Sequence, residues 1–328
     1  MTASARPLTA ESTQPEQPAR PTSAALPLIA AGVTMVFWAS AFIGIRAVGA
    51  HYSPGALAFG RLAVGALALS VVALVWRVTQ TGTRGAATAS GATVPPAKRR
   101  RALGLMIVYG VLWFGLYTLS LNAAEQHLDA GTSSMLVAVG PILIAIFAGI
   151  FLREGFPRSL ITGLAVGVVG LVIIGVATST GQRDATGVLL GLAAAALYAI
   201  GVLLQKRVLA VSSAVPVTWL GCLAGAVACA PFAPDLLREL GTAPAGATWG
   251  IVYLGLFPTA LAFLTWGYAL ARTSAGKLAS SSYVVPALSV LMSWLLLDEV
   301  PGWLALVGGA ICLVGVAITR LPARPRRA

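Results

Sequence analysis

LVAVGPILIAIFAGIFLREG, residues 136–155, is apolar and long enough to cross a bilayer, yet it holds a proline near its middle and closes on a charged pair. A proline inside a water-exposed helix costs about 3 kcal/mol. The same defect returns 145 residues later in YVVPALSVLMSWLLLDEV, residues 283–300. A fault accepted twice at matching places calls for one reason.

The chain has 328 residues, of which 58% are hydrophobic and 10% charged, and its mean hydropathy is +0.87. Soluble domains carry roughly 25% charged residues, so this composition is that of a membrane protein whose partner is the lipid bilayer. The 36 glycines suit helices whose backbones approach closely in lipid. The formal charge of +12 lies between apolar runs, without aromatic interleaving or a binding motif, and nucleic acid is therefore not an expected partner. Cys222, Cys229 and Cys312 all fall in apolar segments without CxxC or Cys/His spacing, so neither a disulfide nor a metal site is expected. Residues 1–26, rich in Pro, Thr, Gln and Glu, read as a disordered cytoplasmic tail with no short apolar core.

A helix needs about 20 apolar residues to cross the roughly 30 Å hydrocarbon core. Charges and Pro/Gly clusters divide the chain into ten such stretches, at 28–47, 55–76, 103–123, 129–152, 159–178, 186–205, 216–233, 249–271, 276–297 and 302–320. The expected fold is an all-α polytopic membrane protein. With the N-terminus inside, 18 Lys and Arg residues fall in cytoplasmic segments, against Arg46, Arg183 and Arg238 outside. That bias places both termini in the cytoplasm and the protein in the cell (inner) membrane.

Shifting the chain by 145 residues aligns 130–173 with 275–318 without a gap. Gly131 meets Gly276, Pro141 meets Pro286, Glu154 meets Glu299, Gly163 meets Gly308 and Gly170 meets Gly315. A weaker match sets FWASAFIGIRAV (37–48) beside LYAIGVLLQKRV (197–208). Five helices per half is an odd number, so the halves lie inverted. The expected organisation is a five-helix repeat over 27–178 with a cytoplasmic loop at 77–101, a second over 179–320, and a basic cytoplasmic tail at 321–328. Inverted repeats with bent helices mark secondary transporters. Pro141 and Pro286 then bend the fourth and ninth helices and free a carbonyl toward a cavity wall that must flex.

WASAFIGIRAVG, SPGALAFGRLAVGALAL and YALARTSAGKLASSSYVVPALSVLMSWLLLDEVPGWLALVGGAICLVGVAI make nearly all of the chain after residue 27 similar to one known family. It resembles the EamA-type exporters of the drug/metabolite transporter (DMT) superfamily. The resemblance implies ten helices in two inverted five-helix repeats. It further implies a central cavity lined by helices 1, 3, 4, 6, 8 and 9, and export of small organic metabolites such as amino acids or drug-like compounds. A lipid-linked sugar flippase of the same superfamily is the alternative. A membrane-embedded enzyme would need convergent acids or histidines, whereas His51 and His127 both lie near the outer surface.

Trp38 and Trp113 fall at mid-span, away from the interfacial belt where tryptophans gather, and Trp113 shares a helical face with Tyr109 and Tyr117. Tyr198 takes the place of Trp38 in the second half. Ser133 and Ser134 precede Pro141 as Ser280, Ser281, Ser282 and Tyr283 precede Pro286. Trp38, Trp113, Tyr117, Ser133, Ser134, Tyr198, Ser281, Ser282 and Tyr283 are the candidate substrate-cavity residues; the serines' alternative is a bond to the carbonyl one turn back. Arg61, the one cation inside a span, binds an anionic substrate group or has a structural partner among helix-end carbonyls. Arg46 and Gln205 read as interface residues. None of the ten acidic residues lies at mid-span; Glu125 and His127, near Asp129, are the candidates for proton linkage, with a solvated outer turn as the alternative. No phosphate loop is present, and no cofactor is expected; facilitated and proton-linked export stay open. The small-residue faces Gly163/Gly167/Gly170 and Gly308/Cys312/Gly315 suit contact within a monomer or across a homodimer.

Overall fold

The computed structural model describes residues 25–84, 96–128, 130–178, 184–297 and 302–321, and these residues are helical with no strand among them. In the first half, α1 runs Ala25–Gly49, α2 Pro54–Arg84, α3 Pro96–Tyr109, α4 Tyr117–His127, α5 Ala130–Val137, α6 Gly140–Phe151 and α7 Arg158–Thr178. In the second, α8 runs Ala185–Leu209, α9 Ala214–Ala228, α10 Ala233–Leu240, α11 Ala245–Leu254, α12 Ala262–Arg272, α13 Ala275–Ser280, α14 Val284–Leu297 and α15 Trp303–Arg320. The expected terminal tails, apart from Ala25, Leu26 and Leu321, lie outside the described residues, as do Asp129 and Glu299. Within the expected loop at 77–101, α2 continues to Arg84 and α3 begins at Pro96, while 85–95 lie outside the described residues.

Five continuous helical stretches are long and apolar enough to cross a membrane: Ala25–Gly49, Pro54–Gln80, Arg100–His127, Ala185–Leu209 and Ala245–Arg272. A sixth is bent by 52° between Ala214–Ala228 and Ala230–Leu240. Shorter apolar helices occupy Gly140–Phe151, Arg158–Ile174 and Leu306–Arg320, the first of them cut short by an interruption before its proline.

Proline lacks an N–H and its ring presses on the carbonyl four residues back, so the strain falls in the turn before it. Accordingly α5 gives way at Ala138 and Val139 before Pro141, the second residue of α6. On the other side α13 passes through a tight 3₁₀ turn at Ser281–Tyr283 before Pro286.

Two long helices share another irregularity. Seven-residue π-helical segments occupy Gly110–Leu116, between α3 and α4, and Gly255–Leu261, between α11 and α12. From Gly110 to Gly255 is 145 positions, the spacing of the sequence repeat. Each segment opens on a glycine against another helix: a Cβ at Gly110 would stand 2.3 Å from the Gly221 carbonyl, and one at Gly255 would stand 2.8 Å from that of Arg61. π turns of this kind concentrate at functional sites.

The two small-residue faces meet each other inside the chain. A Cβ on Gly163 would lie 2.6 Å from the Gly315 carbonyl, and one on Gly170 would lie 2.6 Å from both the Gly308 carbonyl and the Cys312 amide. Thus α7 and α15 touch backbone to backbone.

Candidate functional site

The described helices converge on a cluster of rings. The Trp38 ring, on α1, stands 4.9 Å from Trp266, 5.5 Å from Phe263, 6.0 Å from Tyr198 and 6.3 Å from Trp113, centroid to centroid. Trp113 lies 5.0 Å from Phe263 and 5.4 Å from Tyr198. Edge-on and tilted contacts at such distances are favourable for aromatic pairs. Gly201 makes this possible, since a Cβ there would come 2.5 Å from that of Trp113. Trp113 is therefore buried, while Trp38 keeps part of its face open.

Four of these rings, Trp38, Trp113, Tyr198 and Phe263, wall a cavity whose lining also includes Arg61, Tyr117, Ser134, Pro141, Thr259, Ser282 and Pro286. The Tyr198 hydroxyl and Ser282 Oγ are hydrogen-bonded at 3.0 Å. Ser133, Ser281 and Tyr283, expected beside them, do not line it. Successive residues of a 3₁₀ turn point about 120° apart, so turning Ser282 to the cavity turns its neighbours away. Tyr283 packs with Leu171 and Cys312, and a Cβ on Gly167 would reach its ring at 2.3 Å. Ser281 takes a hydrogen bond from Arg320. Ser133, about 100° from Ser134 around α5, is buried.

Arg61 reaches the cavity from the second helix, and its Nε donates to Thr259 Oγ1 at 3.2 Å. Thr259 in turn donates to the Leu254 carbonyl at 2.8 Å, five residues back, in register with the π segment. The partner of Arg61 is thus a side-chain hydroxyl supplied by that irregular turn. Gln205 is not an interface residue: it is buried, and its Nε2 donates to the Tyr109 hydroxyl at 2.9 Å. Helix α8 runs four residues past it, which draws it below the surface. Phe263, Trp266 and Thr259 were missed in the sequence; the i, i+3 spacing of Phe263 and Trp266 could have marked a face, whereas nothing local announces Thr259.

Glu125 and His127 are not one cluster. His127 Nδ1 pairs with Asp184 Oδ2 at 2.7 Å on an exposed surface. The Thr186 backbone N–H, then His127, hold the Asp184 carboxyl below the usual carboxylate range. Glu125 instead lines a second space with Arg46, Asn122 and Gln126. Ile45 belongs to both walls, so this vestibule adjoins the aromatic cavity.

The opposite end of the bundle is tied by two charged side chains. Glu154 accepts from the Ala275 and Gly276 amides at 2.8 and 3.2 Å, the orphan donors opening α13. Its turn is shaped by Arg153 and Gly155, both left-handed, with φ 56° and 71°. Lys206 Nζ donates to the Leu270 and Thr273 carbonyls at 2.7 and 2.6 Å, closing the end of α12. Replacing Glu154 with Ala should remove about 1 kcal/mol of capping energy. Amide exchange across residues 273–280 should then quicken about five-fold. Unchanged exchange by mass spectrometry would mean that Glu154 does not hold this end.

The model of the EamA-like transporter family matches residues 25–176 and again 185–321. A "Probable terminal-alkyne amino-acid exporter" of Streptantibioticus cattleyicolor is 35% identical over 286 residues, covering 87% of this chain and 90% of that one. An "Uncharacterized transporter YdfC" of Bacillus subtilis is 31% identical over 294 residues, 90% of each chain. A solved structure titled "Crystal structure of protein" superposes with a TM-score of 0.70 at 18% identity, over 93% of this chain and 99% of that one. That last likeness speaks for the fold alone.

Proposed function

Since the chain belongs to the EamA-like transporter family, and is a multi-pass membrane protein of the small-molecule efflux class, we propose that it exports small organic metabolites by alternating access. Amino acids and drug-like compounds are the substrate classes, the relative named as an amino-acid exporter favouring the first. The observation that carries the reading is one cavity walled by rings from both halves, adjoined through Ile45 by a vestibule, with Glu154 and Lys206 bonding helix ends together at the opposite end of the bundle.

In this reading the helices make ten crossings as two inverted sets of five, counting α3 with α4, α5 with α6, α9 with α10, α11 with α12, and α13 with α14. The matched π segments and matched interruptions near Pro141 and Pro286 support it. Arg153, Arg158, Lys206, Arg207, Arg272, Lys277 and Arg320 gather near the tied end, which the positive-inside rule makes cytoplasmic. The cavity then faces outward, and the inward-facing state requires both ties to break.

Trp38→Ala tests the role of the cavity. Its ring is part-open and the pocket can relax around its loss, so the variant should insert and melt near the wild type. Counterflow of amino acids in liposomes should nonetheless fall about ten-fold, the loss of one or two aromatic contacts of about 1 kcal/mol each. Wild-type flux from Trp38→Ala would remove the cavity from the transport path.

A further inference from the structure

Three buried acceptor atoms beside the cavity have no donor among the described residues. Asn122 spends its Nδ2 on the Pro54 carbonyl at 3.2 Å, which turns its Oδ1 the other way. That oxygen and both carboxylate oxygens of Glu125 are buried without a hydrogen-bond partner among the described residues. The two residues are one helical turn apart on α4 and both line the vestibule. A buried carboxylate with nothing to bind is costly, and the group that best answers three acceptors is an ammonium with its three N–H donors.

The charges around the site restrict what can carry that ammonium. Arg46 on α1 lines the vestibule together with Glu125, and Arg61 on α2 lines the adjoining cavity, with Tyr117 of the same helix as Glu125. A bare cation would meet the repulsion of both guanidinium groups. A ligand bearing a carboxylate beside its ammonium would not, since Arg61 lines the cavity and is built for planar carboxylate recognition.

We propose that Asn122 and Glu125 form the ammonium subsite of a zwitterionic head-group site, with Arg61 receiving the carboxylate and the substrate's side chain lying among the aromatic rings. The inference rests on the transport reading of that cavity, and it makes Glu125 the residue that separates amino acids from simple organic acids.

The test uses the tryptophans already at the site. The full chain in lipid nanodiscs is titrated with L-phenylalanine, 3-phenylpropanoate and phenethylamine, read by tryptophan fluorescence, in sodium, potassium and choline chloride. Phenylalanine should bind saturably in all three salts, with each single-charge analogue weaker by about ten-fold or more. Glu125→Gln should weaken phenylalanine about ten-fold and leave 3-phenylpropanoate unchanged, while Glu125→Asp should recover part of the affinity. Three results would overturn the proposal: no binding of phenylalanine to the wild type, equal affinity in Glu125→Gln, or a signal from sodium or potassium alone that the same substitution abolishes. Binding that behaves as expected without any flux in liposomes would sink the transport reading and leave the subsite standing.

Discussion

Trp113→Ala should cost about 3–5 kcal/mol of stability, the usual consequence of emptying a buried tryptophan site, and should abolish transport with it. The ring is 1% exposed and packs on Trp38, Tyr109, Tyr198, Phe263 and Trp266 at centroid distances from 5.0 to 6.3 Å. Its Cβ rests on Gly201, so the helices cannot close further over the void. Trp113→Phe keeps an apolar ring in the same place and should recover most of the loss. Melting in detergent and flux per folded molecule separate the two effects. In Trp113→Ala both should fail together, whereas in Trp38→Ala only flux should fail. A Trp113→Ala variant that melts like the wild type would contradict the packing described for α8 and the π segment after α3.

The second large effect is expected far from the cavity. Gly170→Val would drive a branched side chain into the Cys312 amide and the Gly308 carbonyl, each 2.6 Å from the position of its Cβ. Both obstacles are backbone of α15 and cannot swing aside. Overpacking of this kind costs about 1–3 kcal/mol where the surroundings yield, and more here, since the helices must part along a contact that also depends on Gly163, Gly308 and Gly315. A fall in melting temperature of about 5–10 °C is expected. Gly104→Val is the control: it carries the same helix-propensity change, and nothing stands within 4 Å of its Cβ. Equal melting of the two variants would mean that α7 and α15 are not in backbone contact.

Much of this molecule could be read in one dimension. Membrane class follows from apolar length and scarce charge, because the cost of placing Lys, Arg, Asp or Glu in hydrocarbon acts on each residue separately. The prolines at 141 and 286 and the glycines at 163, 170, 308 and 315 could be paired by spacing alone, because a lost N–H or a missing Cβ has the same consequence in any helix. The cavity faces of Trp38, Trp113, Tyr117 and Tyr198 could be suspected for a similar reason: a large ring with a polar edge at mid-span is out of place facing lipid.

What only the tertiary structure decided is rotation and contact. Periodicity cannot choose among Ser281, Ser282 and Tyr283, because the 3₁₀ turn that sends Ser282 to the cavity and Tyr283 to Gly167 exists only where α13 packs against its neighbours. Thr259 becomes the partner of Arg61 only because a π turn and a close glycine crossing place it there. Gln205, Lys206 and Glu154 look like helix-end residues in the sequence, yet each finds its partners 64 to 122 positions away. Such partners are set by which helix ends the bundle brings together, and that information resides in the packing of all the helices at once, not in any segment by itself.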